Sequence, residues 1–331
     1  MALKKNSVPD KYVSGVTSYD SGGNLVRLTL GQRFARTFTR EWQLWVLLVP
    51  LLAALILFHY LPLYGIQIAF RDYKAVFGIV GSKWVGLKHF QDFFKAYYAE
   101  RLVMNTFLLN IYSLLFSMPV PVILAIMLNQ LSYKRFKKNI QTIIYVPHFI
   151  STIILAGMLY LFLSPNSGIV NQMIVAMGGT STYFMMEPDW FRPLFILTNI
   201  WQHAGWGAIV YIAALTAIDQ ELYEAASVDG ASKLQKVLHI DIPHLMPIFI
   251  MMLILNCGSI LVSNTDKALA LQTPGNMAKS DLIGVYVYSQ GLGRAQFSYT
   301  AAINLLVNVV NFVTIVTVNW ISRRMGDTSL F

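Results

Sequence analysis

Six apolar runs divide the chain, approximately Trp45–Tyr64, Leu102–Leu128, Ile140–Phe162, Pro193–Ile218, Leu245–Val262 and Tyr299–Ile321. Each is near or above the ~20 residues that a helix needs to cross a bilayer. A closed barrel would show alternating segments of ~10 residues instead. The pattern predicts an all-α integral membrane protein with six transmembrane helices. They fill a domain over 42–325, between a tail over 1–41 and a short one over 326–331. Prolines 50, 119, 121 and 147 fall inside runs, where each removes a hydrogen bond and bends its helix.

Two amphipathic stretches lie between or before the runs. Leu87, Phe90, Phe93, Phe94 and Tyr97 recur at roughly helical spacing. They predict a helix over Leu87–Tyr98 at the outer surface, facing lipid or a docking partner, or packed on the rest of the chain. Gln32–Gln43 reads as a basic helix along the inner interface. The other residues before 41 mix Ser, Gly, Thr and basic residues, as a loosely ordered tail does. They show no apolar core with a cleavage site, so the first span is expected to stay as a signal anchor.

Composition agrees with a lipid environment. Of 331 residues, 56% are hydrophobic and 12% charged, against about 25% charged in soluble domains. The net charge of +9 would suit nucleic acid only as a basic stripe on a soluble surface. Here Lys and Arg cluster beside apolar runs, as the positive-inside rule requires. With both termini cytoplasmic, fifteen of the twenty-five basic residues fall inside, and the loop Ser164–Glu187 outside holds none. The outer loop Gly65–Arg101 departs from this with six. Cys257 is the single cysteine, which excludes an intrachain disulfide and a thiolate metal cluster. No metal site is expected.

Chemistry concentrates between the fourth and fifth runs. Five of the sixteen acidic residues lie there: Asp219, Glu221, Glu224, Asp229 and Asp241. Asp219 can cap a helix over Gln220–Val228, and Gly230 can supply the positive φ that ends it. A second helix, Ser232–Leu238, is expected to stop before Pro243. The result is a two-helix knob with Ala225, Ala226 and Ser227 near its tip, small enough for another protein to approach closely.

These residues carry a resemblance. Glu224, Ala225, Ala226, Gly230, Ile240 and Pro243 reproduce the spacing E-A-A-x3-G-x9-I-x-x-P of importer-type ABC permeases. The chain resembles the binding-protein-dependent sugar permeases of the LplB and maltose-system MalF types. The likeness includes Trp84-Val-Gly-Leu-Lys-His-Phe, Tyr145-Val-Pro-His and Ser298-Tyr-Thr-Ala-Ala-Ile. It implies a type I importer (MetI-like) fold in a bacterial cell membrane. It also implies a second similar permease, two ATPase subunits, an extracytoplasmic solute-binding protein and a sugar substrate. Glu224, Ala225, Ala226, Asp229 and Gly230 would then contact the ATPase over the coupling segment 219–243. The chain lacks a G-x-x-x-x-G-K-[ST] loop, so ATP and magnesium belong to the partner subunits and no cofactor is expected here.

Polar residues inside spans suggest a substrate path. Asn199, Gln202, His203 and Trp206 follow helical spacing in the fourth run, and Asn256 and Ser259 lie in the fifth. Amides, an imidazole and an aromatic ring suit a sugar, which offers apolar faces rimmed with hydroxyls. By resemblance, Asn199 to Trp206 aligns with the sugar-contacting segment of the maltose-type permease. The same residues equally serve interhelical hydrogen bonding. Asn304, Asn308 and Asn311 read as a packing stripe, and His148 as a partner for carbonyls freed at Pro147. An ion-driven transporter would show charged residues or inverted repeats in its spans, but these contain almost no Asp or Glu. A membrane enzyme would show a convergent motif such as H-E-x-x-H or G-x-S-x-G.

Overall fold

The computed structural model describes residues 17–19, 25–27 and 42–325. The chain forms two compact units, Met1–Gln67 and Ile68–Phe331. In the first, strands β1 (Thr17–Tyr19) and β2 (Leu25–Arg27) pair antiparallel, with Thr17 opposite Arg27. The rest of the tail expected over 1–41 lies outside the described residues. Most of the expected helix Gln32–Gln43 lies outside the described residues, as does the tail after 325. Helix α1 (Trp42–Leu55) opens an apolar helical run that extends to Phe70. A wide π turn, Ile56–Tyr60, precedes Pro62. Such a turn relieves the crowding that a proline ring imposes on the carbonyl four residues back.

The second unit begins with strands β3 (Arg71–Lys74) and β4 (Ser82–Trp84), antiparallel, with Arg71 opposite Trp84. Helix α2 (Lys88–Lys95) follows. It lies within the expected Leu87–Tyr98 and settles one alternative at Phe93, which is buried with Leu102 and Ile303. Leu87, Phe94 and Tyr97 stay exposed. Helices α3 (Ala99–Ser117) and α4 (Pro119–Asn129) form one run interrupted at Pro119. The third expected span is broken: α5 (Lys134–Tyr145) ends in a tight turn at Pro147, and α6 (Thr152–Phe162) leaves at 96°. The Ser151 hydroxyl caps α6 by accepting from the Ile154 amide.

After α7 (Ile169–Ala176), the 29-residue α8 (Pro188–Thr216) packs against α3, α4 and α5. Gly205 permits the α5 contact, since a Cβ there would lie 2.1 Å from the Ile144 carbonyl oxygen; small residues serve this purpose between membrane helices. Helix α9 is Gln220–Val228, and α10 (Lys233–Lys236) continues through a π turn, Val237–Asp241, into α11 (Ile242–Cys257). The expected stop before Pro243 does not occur. Pro243 lies inside the continuous run Lys233–Cys257, and the π turn before it accommodates the ring as at Pro62.

The connection from α11 to the last helix, α15 (Phe297–Met325), contains α12 (Thr265–Leu271), α13 (Met277–Ser280) and α14 (Ile283–Tyr288). Buried amides hold it. Asn105 donates to the carbonyls of Ala278 and Asp281, and Asn276 to those of Met185 and Leu271. Arg101 pairs with Asp281 at 2.6 Å. On α15, Asn311 accepts from the Leu261 amide, the packing role expected of it, while Asn304 and Asn308 are exposed.

Among the described residues, four helices are long and apolar enough to cross a membrane: Trp42–Phe70, Ala99–Asn129, Lys233–Cys257 and Phe297–Arg324. The bent pair α5–α6 makes a fifth when its two helices are counted as one span. The remaining expected span, Pro193–Ile218, lies almost wholly in α8, which is long enough but not apolar enough. Asn199, Gln202 and His203 are the reason. Much of the surface of α8 meets protein rather than lipid, so apolarity is not demanded of it.

Candidate functional site

The segment from Asp219 to Pro243 is built as a knob. The Asp219 carboxylate accepts from the Glu221 amide at 3.1 Å and starts α9. Gly230 ends it with φ of +76°. The Ala231 amide reaches the Ala226 carbonyl at 2.8 Å, and the Gly230 amide reaches that of Ser227 at 3.1 Å. This pair of bonds is the Schellman closure, which needs a left-handed residue at Gly230. Ser232 and Gln235 then form a reciprocal capping box at the start of α10. Glu224, Ala225, Asp229, Gly230 and Pro243 are exposed; Ala226 and Ile240 are half-buried.

One residue ties the knob down. Asp241, in the π turn, is fully buried. Its carboxylate accepts from the Tyr223 hydroxyl of α9 at 2.5 Å and from the Gln130 amide at the end of α4 at 3.3 Å. Burial first, and this hydrogen bond second, push the Tyr223 phenol above its ordinary range. The sequence marked Asp241 only as one acidic residue among five.

The second feature is a cavity of about 390 Å³ between α3, α8 and α11. Asn199, Asn256 and Ser259, all expected on the substrate path, line it. So do Asn110, Ser113 and Ser117 of α3, Tyr211 of α8, and Ser263 and Asn264 after α11. No lining residue is charged. The Ser117 and Ser263 hydroxyls are buried without a hydrogen-bond partner, an arrangement that is costly unless something fills it. The sequence reading missed the α3 residues, although positions 110, 113 and 117 recur at helical spacing.

The other three expected path residues do not line this cavity. They fasten the broken span. Gln202 is buried, and its amide donates to the Ile150 carbonyl at 2.6 Å, between α5 and α6. His203 meets His148 ring to ring, with their Nδ1 atoms 3.1 Å apart. Trp206 stacks on His148 with centroids 4.5 Å apart. His148 therefore pairs with two side chains rather than with carbonyls freed at Pro147. Gln202→Leu is expected to leave the Ile150 carbonyl without that partner, at about 1–3 kcal/mol. The melting temperature should fall, and an unchanged melting temperature would show that this bond does not hold the break between α5 and α6.

Residues 99–327 match the family model "Binding-protein-dependent transport system inner membrane component". The polygalacturonan/rhamnogalacturonan transport system permease protein YteP of Bacillus subtilis is 38% identical over 288 residues, covering 87% of this chain and 90% of that protein. Protein LplB of the same organism is 37% identical over 292 residues, covering 88% and 92%. A solved bacterial alginate ABC transporter, in complex with an alginate pentasaccharide-bound periplasmic protein, contains a chain that superposes with a TM-score of 0.82. The identity is 36%, over 90% of this chain and 100% of that one.

Proposed function

The chain belongs to the binding-protein-dependent transport system inner membrane component family, and on that premise we propose how it works. It is the permease subunit of an ATP-driven importer, and an oligosaccharide delivered by an extracytoplasmic binding protein is its cargo. A second, similar permease and two ATPase subunits complete the transporter, with ATP and magnesium held on the latter. The knob over 219–243 and both termini lie on the cytoplasmic side. There Glu224, Ala225, Ala226, Asp229 and Gly230 form the surface that enters the ATPase, with Ile240 and Pro243 behind them.

The observation that carries this reading is continuity. The helical run Lys233–Cys257 begins in the knob and ends at the cavity, where Asn256 contributes to the wall. A push on the knob is therefore delivered along one stiff element to the place where cargo would sit. Rigid-body swings of this kind alternate access between the two sides. Amides and hydroxyls around an uncharged cavity suit the hydroxyl rims of a sugar.

The test is Asn199→Leu and Asn256→Leu in the assembled transporter. Both are expected to reduce saccharide-stimulated ATP hydrolysis about tenfold, a loss of ~1.4 kcal/mol, while the subunits still copurify. An unchanged response in both variants would remove this cavity from the cargo path.

A further inference from the structure

Lys267 is a buried cation with no role in the account so far. It sits in α12, which packs between α6 and α8, and is only 2% exposed. Its ammonium donates to the Phe195 carbonyl at 3.0 Å and lies 4.9 Å from the centroid of the Phe195 ring. Among the described residues the ion pairs are Arg101–Asp281 and Lys279–Asp189, so Lys267 has no carboxylate partner. One carbonyl occupies one of its three donors. An ammonium so buried and without a carboxylate partner is expensive to keep charged.

Its location gives the charge a use. Phe195 and Asn264 both line the cavity between α3, α8 and α11. The side chain of Lys267 bonds to the first, and its backbone amide donates to the Asn264 side chain at 3.0 Å. The ammonium is thus bonded to the backbone of one wall residue, Phe195, behind a wall that carries no charge of its own. We propose that Lys267 makes this cavity selective for oligosaccharides that bear a carboxylate, such as uronic-acid chains. This rests on reading the cavity as the cargo path. Attraction between the ammonium and a cargo carboxylate runs through protein rather than water, where it is several-fold stronger. A neutral sugar of the same shape gains nothing from it. Without cargo, burial opposes the charge on Lys267; an arriving carboxylate restores it.

The experiment uses the complete transporter in proteoliposomes with its binding protein, carrying Lys267, Lys267→Met or Lys267→Arg. The probes are trigalacturonate, triguluronate and their carboxyl-reduced, neutral counterparts, and the readouts are stimulated ATP hydrolysis and melting temperature. With Lys267, a tri-uronate is expected to stimulate at a concentration at least about tenfold below its reduced form. Lys267→Met should erase that preference with an equal or higher melting temperature, since it removes an unpaired buried charge. Lys267→Arg should keep the preference. The inference fails if Lys267→Met retains the preference, or if it lowers the melting temperature or blocks assembly, which would mean a structural lysine. It also fails if the wild type ignores the uronates or favours the neutral forms while hydrolysing ATP under control of its binding protein; the importer reading then survives. Loss of all dependence on ATP would strike that reading itself.

Discussion

Gly230→Pro abolishes ATP-driven uptake, with a loss of at least ~100-fold expected because the knob can no longer close. Gly230 holds φ at +76°, a region that proline, fixed near −65°, never reaches. The substitution also deletes the amide that donates to the Ser227 carbonyl and misplaces the Ala231 amide that donates to Ala226. The tight turn that leads from α9 into α10 is then lost. No heavy atom lies within 4 Å of where a Cβ at Gly230 would be, so the rest of the fold is spared. Gly230→Asn is the control, because asparagine tolerates the left-handed region. It should retain most uptake. Retention of the ATPase subunit on an affinity-tagged permease, measured beside uptake, checks the account; full retention with proline at this position would refute it.

Asp241→Ala separates hydrolysis from transport. The carboxylate joins three elements, α9 through Tyr223, the end of α4 through Gln130, and the start of α11 through its own backbone. Its removal takes a buried acceptor from two half-buried donors, at about 1 kcal/mol each, set against the 5–15 kcal/mol of stability typical of a folded protein. The permease should still assemble, but a push on α9 is then absorbed locally. Saccharide carried per ATP hydrolysed is expected to fall at least ~10-fold, because the motion no longer reaches α11. Asp241→Asn keeps an acceptor for Tyr223 and should fall between. Equal stoichiometry in Asp241→Ala and wild type would show that α9 transmits its motion by another route.

What the sequence disclosed follows from how local each feature is. Asp219 and Gly230 act within a few residues of themselves, so the cap, the first knob helix and its left-handed end were legible. The run through Pro243 was not, because a proline near a helix start and one inside a helix differ only in the turn before it. The substrate path shows the limit more sharply. Asn199, Gln202, His203 and Trp206 share helical spacing, yet only Asn199 meets the cavity. The turn at 146–151 brings His148 and the Ile150 carbonyl against the other three, a tertiary event that spacing does not encode. Asn110, Ser113 and Ser117 carried a readable pattern, but small polar residues in an apolar run also serve packing. Lys267 gave no periodic signal, since it lies in a connection whose short helices are held by amides distant in sequence, Asn105 among them.

Uptake in sealed vesicles tests the central claim most directly. Radiolabelled saccharide should accumulate only when the permease is reconstituted with its partner permease, ATPase subunits and binding protein, and only with ATP on the ATPase side. Accumulation by this chain alone in ATP-free vesicles would contradict it.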